Sequence, residues 1–360
     1  MKKAVILMGG LGTRLRPFTI HTPKPLLPVL NVPFFAYQLD LLKRFGIHDI
    51  VLALGYRSAH FKRMIGNGRK WGVRFRYSLE KTPLGTGGAI RKALPFLNGP
   101  TVVLNGDVLS DMHLSDMFHL HSGKNAEATL ALFPVKDPSA FGLIETDSEG
   151  RILRFTEKPS PDEITVNTIN AGAYLLELSF IRSIPPDKNV SIERDVFPVA
   201  LKDGRALYGF VHRGLWTDIG TLKSYWQVHK DLLHKISNFP IITAKQIRRG
   251  LWAGKKTVIH PDAKIDGTVL LGEGCHVGRA VLKGAVCIGN GSQIKDGAQI
   301  TDSLILDRTT VHSSCRLDHC LIGNHCHIQE SSILGPGDVV ADRSTVGPFA
   351  QRFSYEDDAT

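Results

Sequence analysis

From residue 257 onward, one aliphatic residue returns every six positions. The series runs Ile259, Ile265, Leu271, Val277, Leu282, Ile288, Ile294, Ile300, Ile305, Val311, Leu317, Ile322, Ile328, Leu334, Val340 and Val346, and every step is six residues except three steps of five. Glycine follows six of these sixteen positions. A small residue often stands two places earlier, as at Ala263, Cys275, Ala280, Ser292, Ala298, Cys315, Cys320 and Cys326. That is the pattern of a hexapeptide β-helix. Each short strand turns one aliphatic inward, and stacked coils bury a continuous core. Three hexads make one coil, so the series predicts about five coils.

The cysteines fit the same frame. Cys315, Cys320 and Cys326 lie near His312, His319, His325 and His327, which raises the question of zinc. Yet Cys275, Cys315, Cys320 and Cys326 all occupy the small slot two before an aliphatic, where a free thiol packs as a small hydrophobe. Five cysteines with no C-x-x-C pair give neither a disulfide framework nor a zinc knuckle. Core packing is the favoured reading.

Residues up to about 220 follow another rule. Apolar runs at Ala4–Met8, Ile50–Leu54, Val73–Tyr77, Thr101–Leu104, Ala128–Val135 and Ala171–Leu176 read as strands. Helical patterns fall between them at Phe35–Phe45 and Gly88–Leu94, and Leu222–Ile236 reads as a longer amphipathic helix. Strands alternating with helices predict an α/β, Rossmann-like sheet that is mostly parallel. The expected division is a first domain over 1–236, a connector over 237–256, the repeat domain over 257–350 and a tail over 351–360. A chain of 360 residues has room for both domains.

Ligands of such sheets gather at the carboxyl ends of strands. Two loops leave such ends. One is Asn105-Gly106-Asp107. The other is Gly9-Gly10-Leu11-Gly12-Thr13-Arg14-Leu15, with Pro23-Lys24-Pro25 behind it. Its backbone N–H groups and two cations suit an anion, with a polyphosphate as the natural ligand. The dinucleotide fingerprint needs glycine where Leu15 stands, and Gly-Lys-Ser/Thr is absent. Gly-Gly alone is as well explained by a flexible turn.

The whole string Gly-Gly-x-Gly-Thr-Arg-Leu with Pro-Lys-Pro resembles the signature of sugar nucleotidyltransferases, and further motifs follow in order across residues 4–221. The resemblance implies an enzyme that joins a nucleoside triphosphate to a sugar 1-phosphate and releases pyrophosphate. It implies a nucleotide site at Leu7, Gly9, Gly10, Gly12, Thr13, Arg14, Lys24, Pro83, Gly85, Thr86 and Asp107. It implies a sugar-phosphate site at Gly142, Glu157, Lys158, Asn170 and Gly172. Asp107 and Asp218 are implied as ligands of Mg²⁺. Arg14, Lys24, Asp107, Lys158 and Asp218 form the catalytic set: Arg14 for the leaving pyrophosphate, Lys24 for the α-phosphate, and Lys158 for the sugar phosphate. Taken alone, Asn-Gly-Asp is a turn, Glu157-Lys158 a solvated surface pair, and Thr86-Gly87-Gly88 a helix start.

Pro-Lys-Pro, Pro83-Leu84-Gly85-Thr86, Ile169–Tyr174 and Ser191–Pro198 look most like mannose-1-phosphate guanylyltransferases, which also carry a C-terminal β-helix, left-handed in that family. GTP and mannose 1-phosphate are therefore the expected substrates. Glucose-1-phosphate thymidylyl-, uridylyl- or adenylyltransfer is the near alternative. A β-helix acyltransferase and a non-catalytic subunit that binds a nucleotide-sugar are alternatives of other classes. The net charge of +10 is spread along the chain without an aromatic-interleaved basic patch, so nucleic acid is not an expected partner. No apolar run reaches the length of a membrane span. Lys2-Lys3 precede an apolar stretch that ends in Gly-Gly with no cleavage site, so the expected setting is the cytoplasm. Self-association through the repeats is expected.

Overall fold

A computed structural model describes residues 2–10, 12–55, 59–157, 159–239 and 241–351. The chain packs as two compact units: residues 1–11 with 35–218, and residues 12–34 with 219–360.

The first unit is built on β1 (Lys3–Met8), α1 (Phe34–Arg44), β2 (Asp49–Leu54), α2 (Ala59–Ile65), β3 (Arg74–Leu79), α3 (Gly85–Ala93) and β4 (Thr101–Asn105). It continues with β5 (Val108–Ser110), α4 (Leu114–Gly123), β6 (Ala128–Pro134), β7 (Leu143–Thr146), β8 (Ile152–Thr156) and β9 (Thr168–Leu176). Helices α5 (Leu178–Ser183) and α6 (Phe197–Lys202) and strands β10 (Leu207–Val211) and β11 (Trp216–Asp218) complete it. Strands β3, β2, β1 and β4 are neighbours and all parallel. The apolar runs of β2, β1 and β4 are buried on both faces, with Val5, Ile6, Leu52 and Val103 fully covered, whereas β3 at the sheet edge exposes Arg74, Arg76 and Leu79.

Beyond β4 the sheet changes sense. Strand β9 runs antiparallel to β4, β6 and β7, while β10 is parallel to β6. The register of β9 against β6 slips between Asn170 and Tyr174. Gly172 sits in that irregularity at φ +68°, and a β-bulge of this kind re-aims the neighbouring side chains. A separate antiparallel pair, β5 with β11, sets Val108 opposite Asp218.

The second unit holds the repeats. The hexad aliphatics fall into three stacked columns of parallel strands. Ile259, Val277, Ile294, Val311, Ile328 and Val346 form one. Ile265, Leu282, Ile300, Leu317 and Leu334 form the second, and Leu271, Ile288, Ile305, Ile322 and Val340 the third. All sixteen positions are used, and the central ones are sealed from solvent. The five thiols are free and buried. Cys275, Cys315 and Cys326 point their sulfurs at backbone carbonyls of the next coil.

Two further segments pack within this unit. Helix α7 (Leu222–Leu233) starts at a capping box, where Thr221 accepts from the Ser224 N–H and Ser224 accepts from the Thr221 N–H. The Tyr225 hydroxyl of α7 donates to Pro28 O (2.5 Å), and Phe18 tilts against its ring. Asn31 Nδ2 donates to Ile288 O of a coil (2.9 Å). Residues 245–253 already form a hairpin, and Leu251–Ala253 stack in parallel on Val269–Leu271. No helix among the described residues is long and apolar enough to cross a membrane.

Candidate functional site

In the first unit the site residues collect where parallel strands end. Leu7 is paired with Asn105 across β1 and β4, and the Leu7 carbonyl accepts from the Gly106 N–H (2.8 Å). A Cβ on Gly106 would stand 2.3 Å from that same carbonyl, so the turn into Asp107 admits no side chain there. Gly9 and Gly10 follow β1 in exposed backbone. Asp107 and Asp218 are both half-buried, and the Val108–Asp218 pairing sets the two carboxylate-bearing positions on adjoining chain segments.

The bulge in β9 brings Gly172, one of the residues expected on the sugar side, to the same strand ends. Gly172 lies so near Asn105 that a Cβ would meet its amide at 2.8 Å. Asn170 accepts from the Gly172 N–H (3.1 Å), and its own N–H donates to Gly142 O (2.9 Å). Gly142 is buried, and a Cβ there would stand 2.6 Å from a Glu157 carboxylate oxygen. Gly142, Glu157, Asn170 and Gly172 are thus one cluster. Lys158 lies outside the described residues, as does Leu11.

The loop at Pro83–Gly88 is tied to that cluster by a polar chain. Asn170 Nδ2 donates to the Tyr174 hydroxyl (2.9 Å), which donates to Glu193 Oε1 (3.1 Å). Glu193 Oε2 accepts from Thr86 (2.6 Å) and Ser191 (2.7 Å), and Thr86 in turn accepts from the Ile192 N–H (2.9 Å). Burial, reinforced by the Glu193 charge, pushes the Tyr174 phenol well above its ordinary range, so it stays a neutral donor. The Gly87 and Gly88 N–H groups both donate to Val190 O. Gly85, at φ +70°, and Gly88 leave no room for a Cβ against residues 188–190. The glycines after Gly85 therefore serve the helix start and its packing. Pro83 stays exposed.

Gly12, Thr13, Arg14 and Lys24 belong to the second unit. Gly12 takes φ +63° and opens a 3₁₀ turn over Thr13–Leu15, while Lys24 opens another over Lys24–Leu26. A Cβ on Gly12 would lie 3.1 Å from Lys24 Cβ, so glycine and lysine are packed side by side. Thr19 donates to Gly12 O (2.7 Å) and holds the loop closed. Thr13 and Arg14 are exposed, and Lys24 is half-buried.

Some supporting residues carry no sequence signal. Asp111 Oδ1 accepts from the Leu215 N–H (2.6 Å) and lies 2.9 Å from His212 Nε2, which fixes the entry to β11 and Asp218. Burial raises the Asp111 carboxyl, but the His212 contact and the Leu215 N–H outweigh it and hold it below its usual range. Trp216 donates to Ala171 O (2.9 Å) and stacks on Phe133, tying β11 to the bulge. Only the partners of these side chains, about a hundred residues away for Asp111, reveal their roles.

Among the described residues no group of three or more His, Cys, Asp or Glu is placed to hold a metal ion. Asp107 and Asp218 offer two hard oxygen donors. That suits a cation such as Mg²⁺, which takes one or two carboxylates and completes its shell with water and phosphate oxygens.

A family model described as "Nucleotidyl transferase" matches residues 3–235, and one described as "GMPPB C-terminal domain" matches residues 279–349. Among similar proteins, a mannose-1-phosphate guanylyltransferase of Mycobacterium tuberculosis is 35% identical over 88% of this chain and 82% of its own length. A UTP–glucose-1-phosphate uridylyltransferase of Synechocystis is 31% identical over 90% and 88%. The crystal structure of HddC from Yersinia pseudotuberculosis complexed with GMP-PN is 28% identical and matches with a TM-score of 0.54, over 64% of this chain and 100% of that one.

Proposed function

This chain belongs to the nucleotidyl transferase family, and on that premise we propose that it makes GDP-mannose and pyrophosphate from GTP and mannose 1-phosphate. The observation that carries the proposal is the β5–β11 pairing, which puts Asp107 and Asp218 on adjoining segments beside the bulge with Asn170 and Gly172. The greater likeness to a guanylyltransferase than to a uridylyltransferase supports the choice of substrates.

A phosphate oxygen of the sugar 1-phosphate attacks the α-phosphorus of the nucleotide. The new P–O bond forms as the bond to the β-phosphate oxygen breaks, and pyrophosphate carries away the electron pair. The nucleophile is already ionised at neutral pH, so no general base is required. Catalysis is positioning and charge stabilisation. In this proposal Asp107 and Asp218 hold Mg²⁺, which when bound neutralises phosphate charge. Glu157 and Asn170 take sugar hydroxyls, with the Gly142 and Gly172 backbones close beside them. Lys158 takes the sugar phosphate. Leu7, Gly9, Gly10, Gly12, Thr13, Pro83, Gly85 and Thr86 bind the nucleotide. Lys24 stabilises the α-phosphate and Arg14 the leaving pyrophosphate. The proposal includes self-association through the repeats and a cytoplasmic setting.

Asp107→Asn and Asp218→Asn test it. Each keeps the side-chain shape and removes a charge. Turnover should fall by more than the roughly 10–100-fold that follows loss of a mere outer partner of a metal ligand. Far-ultraviolet circular dichroism should not change. Full turnover in both variants would remove the metal role from these residues.

A further inference from the structure

We propose that Gln38 is a positioning residue for the two carboxylates, fixing the turn that carries Asp107 and the strand that faces Asp218. The proposal rests on the metal role of Asp107 and Asp218 given above. The inner face of α1 is otherwise apolar, with Phe34, Phe35, Leu39 and Leu42 fully covered. Gln38 stands among them at 3% exposure. A buried amide on an apolar face needs partners, and this one finds them 67 and 70 residues away. Its Nε2 donates to Asn105 O (2.8 Å) and to Val108 O (2.9 Å). Those carbonyls are the two that straddle Gly106-Asp107. Both amide protons are used, so the side chain is a two-point clamp with one orientation.

The turn is held from the other side as well. The Gly106 N–H is taken by Leu7 O of β1. Between that bond and the Gln38 clamp, the backbone on either side of Asp107 is fixed. The clamp also reaches the second carboxylate, because Val108 is the residue paired with Asp218. Gln38 Oε1 and Asn105 Oδ1 are buried acceptors with no donor among the described residues, and both line one small cavity. A water donating to both would satisfy them and stiffen the same turn. Hydrophobic burial alone would place leucine or methionine at position 38. The glutamine makes sense where a ligand-bearing turn must be held to a fraction of an ångström.

The test is Mn²⁺ binding to the full chain in the presence of GTP, read by electron paramagnetic resonance. Wild type, Gln38→Met, Gln38→Asn and Asp107→Asn are compared. Gln38→Met fills the same space without donors and should weaken Mn²⁺ binding by about 10–100-fold, the range for a lost outer partner. kcat should fall in step, with KM for mannose 1-phosphate unmoved. Gln38→Asn keeps the amide on a shorter stem, reaches at most one carbonyl, and should read between the two. A folded Gln38 variant with wild-type Mn²⁺ affinity overturns the proposal, even if its melting temperature has dropped. If Asp107→Asn also binds Mn²⁺ as wild type does, the carboxylate reading itself has failed. If Asp107→Asn loses the metal and the Gln38 variants keep it, only Gln38 has.

Discussion

A Cβ on Gly142 would collide with the Glu157 carboxylate at 2.6 Å and crowd the Phe155 ring at 3.4 Å. Gly142→Ala should therefore displace Glu157, and kcat/KM for mannose 1-phosphate should fall roughly 10–100-fold, the cost of a misplacement near 1 Å. Steady-state kinetics should show KM for GTP little changed; an unaltered sugar-phosphate term would separate Glu157 from the sugar site. His229 makes a second prediction. It is fully buried on α7, accepts from the Leu30 N–H (3.4 Å) and donates to Pro28 O (3.2 Å), so only the neutral ring fits. Burial pulls its pKa down from 6.5 to about 3. The unfolded chain therefore takes up a proton that the folded one refuses. Stability is fully present above pH 6.5 and is lost as pH falls towards 3, at up to about 1.4 kcal/mol per unit. Urea titrations at pH 7.5, 6 and 5 should show His229→Gln losing less than wild type; parallel curves would contradict this. Gly142 and Asn170 were singled out because they sit in contiguous motifs. Gln38, Asp111 and His229 were not, because each acts through partners distant in the sequence.

The hexad aliphatics were the most legible element. Each faces inward and each stacks on an equivalent, so local period and global packing agree. Ile300 lies in the middle of its column, fully covered between Leu282 and Leu317. Ile300→Ala should cost about 2–5 kcal/mol, the usual range for truncating a buried isoleucine. Chemical denaturation checks it, and a loss below about 1 kcal/mol would mean that the column is not close-packed. Strands β1, β2 and β4 were equally plain as apolar runs, whereas β3 alternates, with Arg74 and Arg76 exposed on either side of buried Phe75. Strands β7, β8, β10 and β11 were not predicted. Leu153 and Arg154 of β8 are exposed, and β11 is three residues long, so neither shows a run. The antiparallel turn of the sheet at β9 depends on pairing partners, which period does not encode. Helix α7 ends at Leu233 rather than Ile236, because Lys235 leaves helical backbone before a short 3₁₀ turn.

At the scale of the molecule, the segment that carries Arg14 and Lys24 groups with α7 and the coils. Tyr225 to Pro28 and Asn31 to Ile288 are the bonds that make it so. Neither bond has a local signal in the sequence. The repeats therefore support a cation-bearing segment as well as themselves. The chain carries a net charge of +10, in keeping with two anionic substrates. The central claim is the reaction, and one measurement tests it most directly. Pyrophosphate release is followed with Mg²⁺ across GTP, ATP, UTP, CTP and dTTP, each against mannose, glucose and N-acetylglucosamine 1-phosphates. The account predicts that GTP with mannose 1-phosphate gives the dominant rate. Dominance of UTP with glucose 1-phosphate would contradict the substrate assignment, and silence from folded protein across every pair would contradict the reaction.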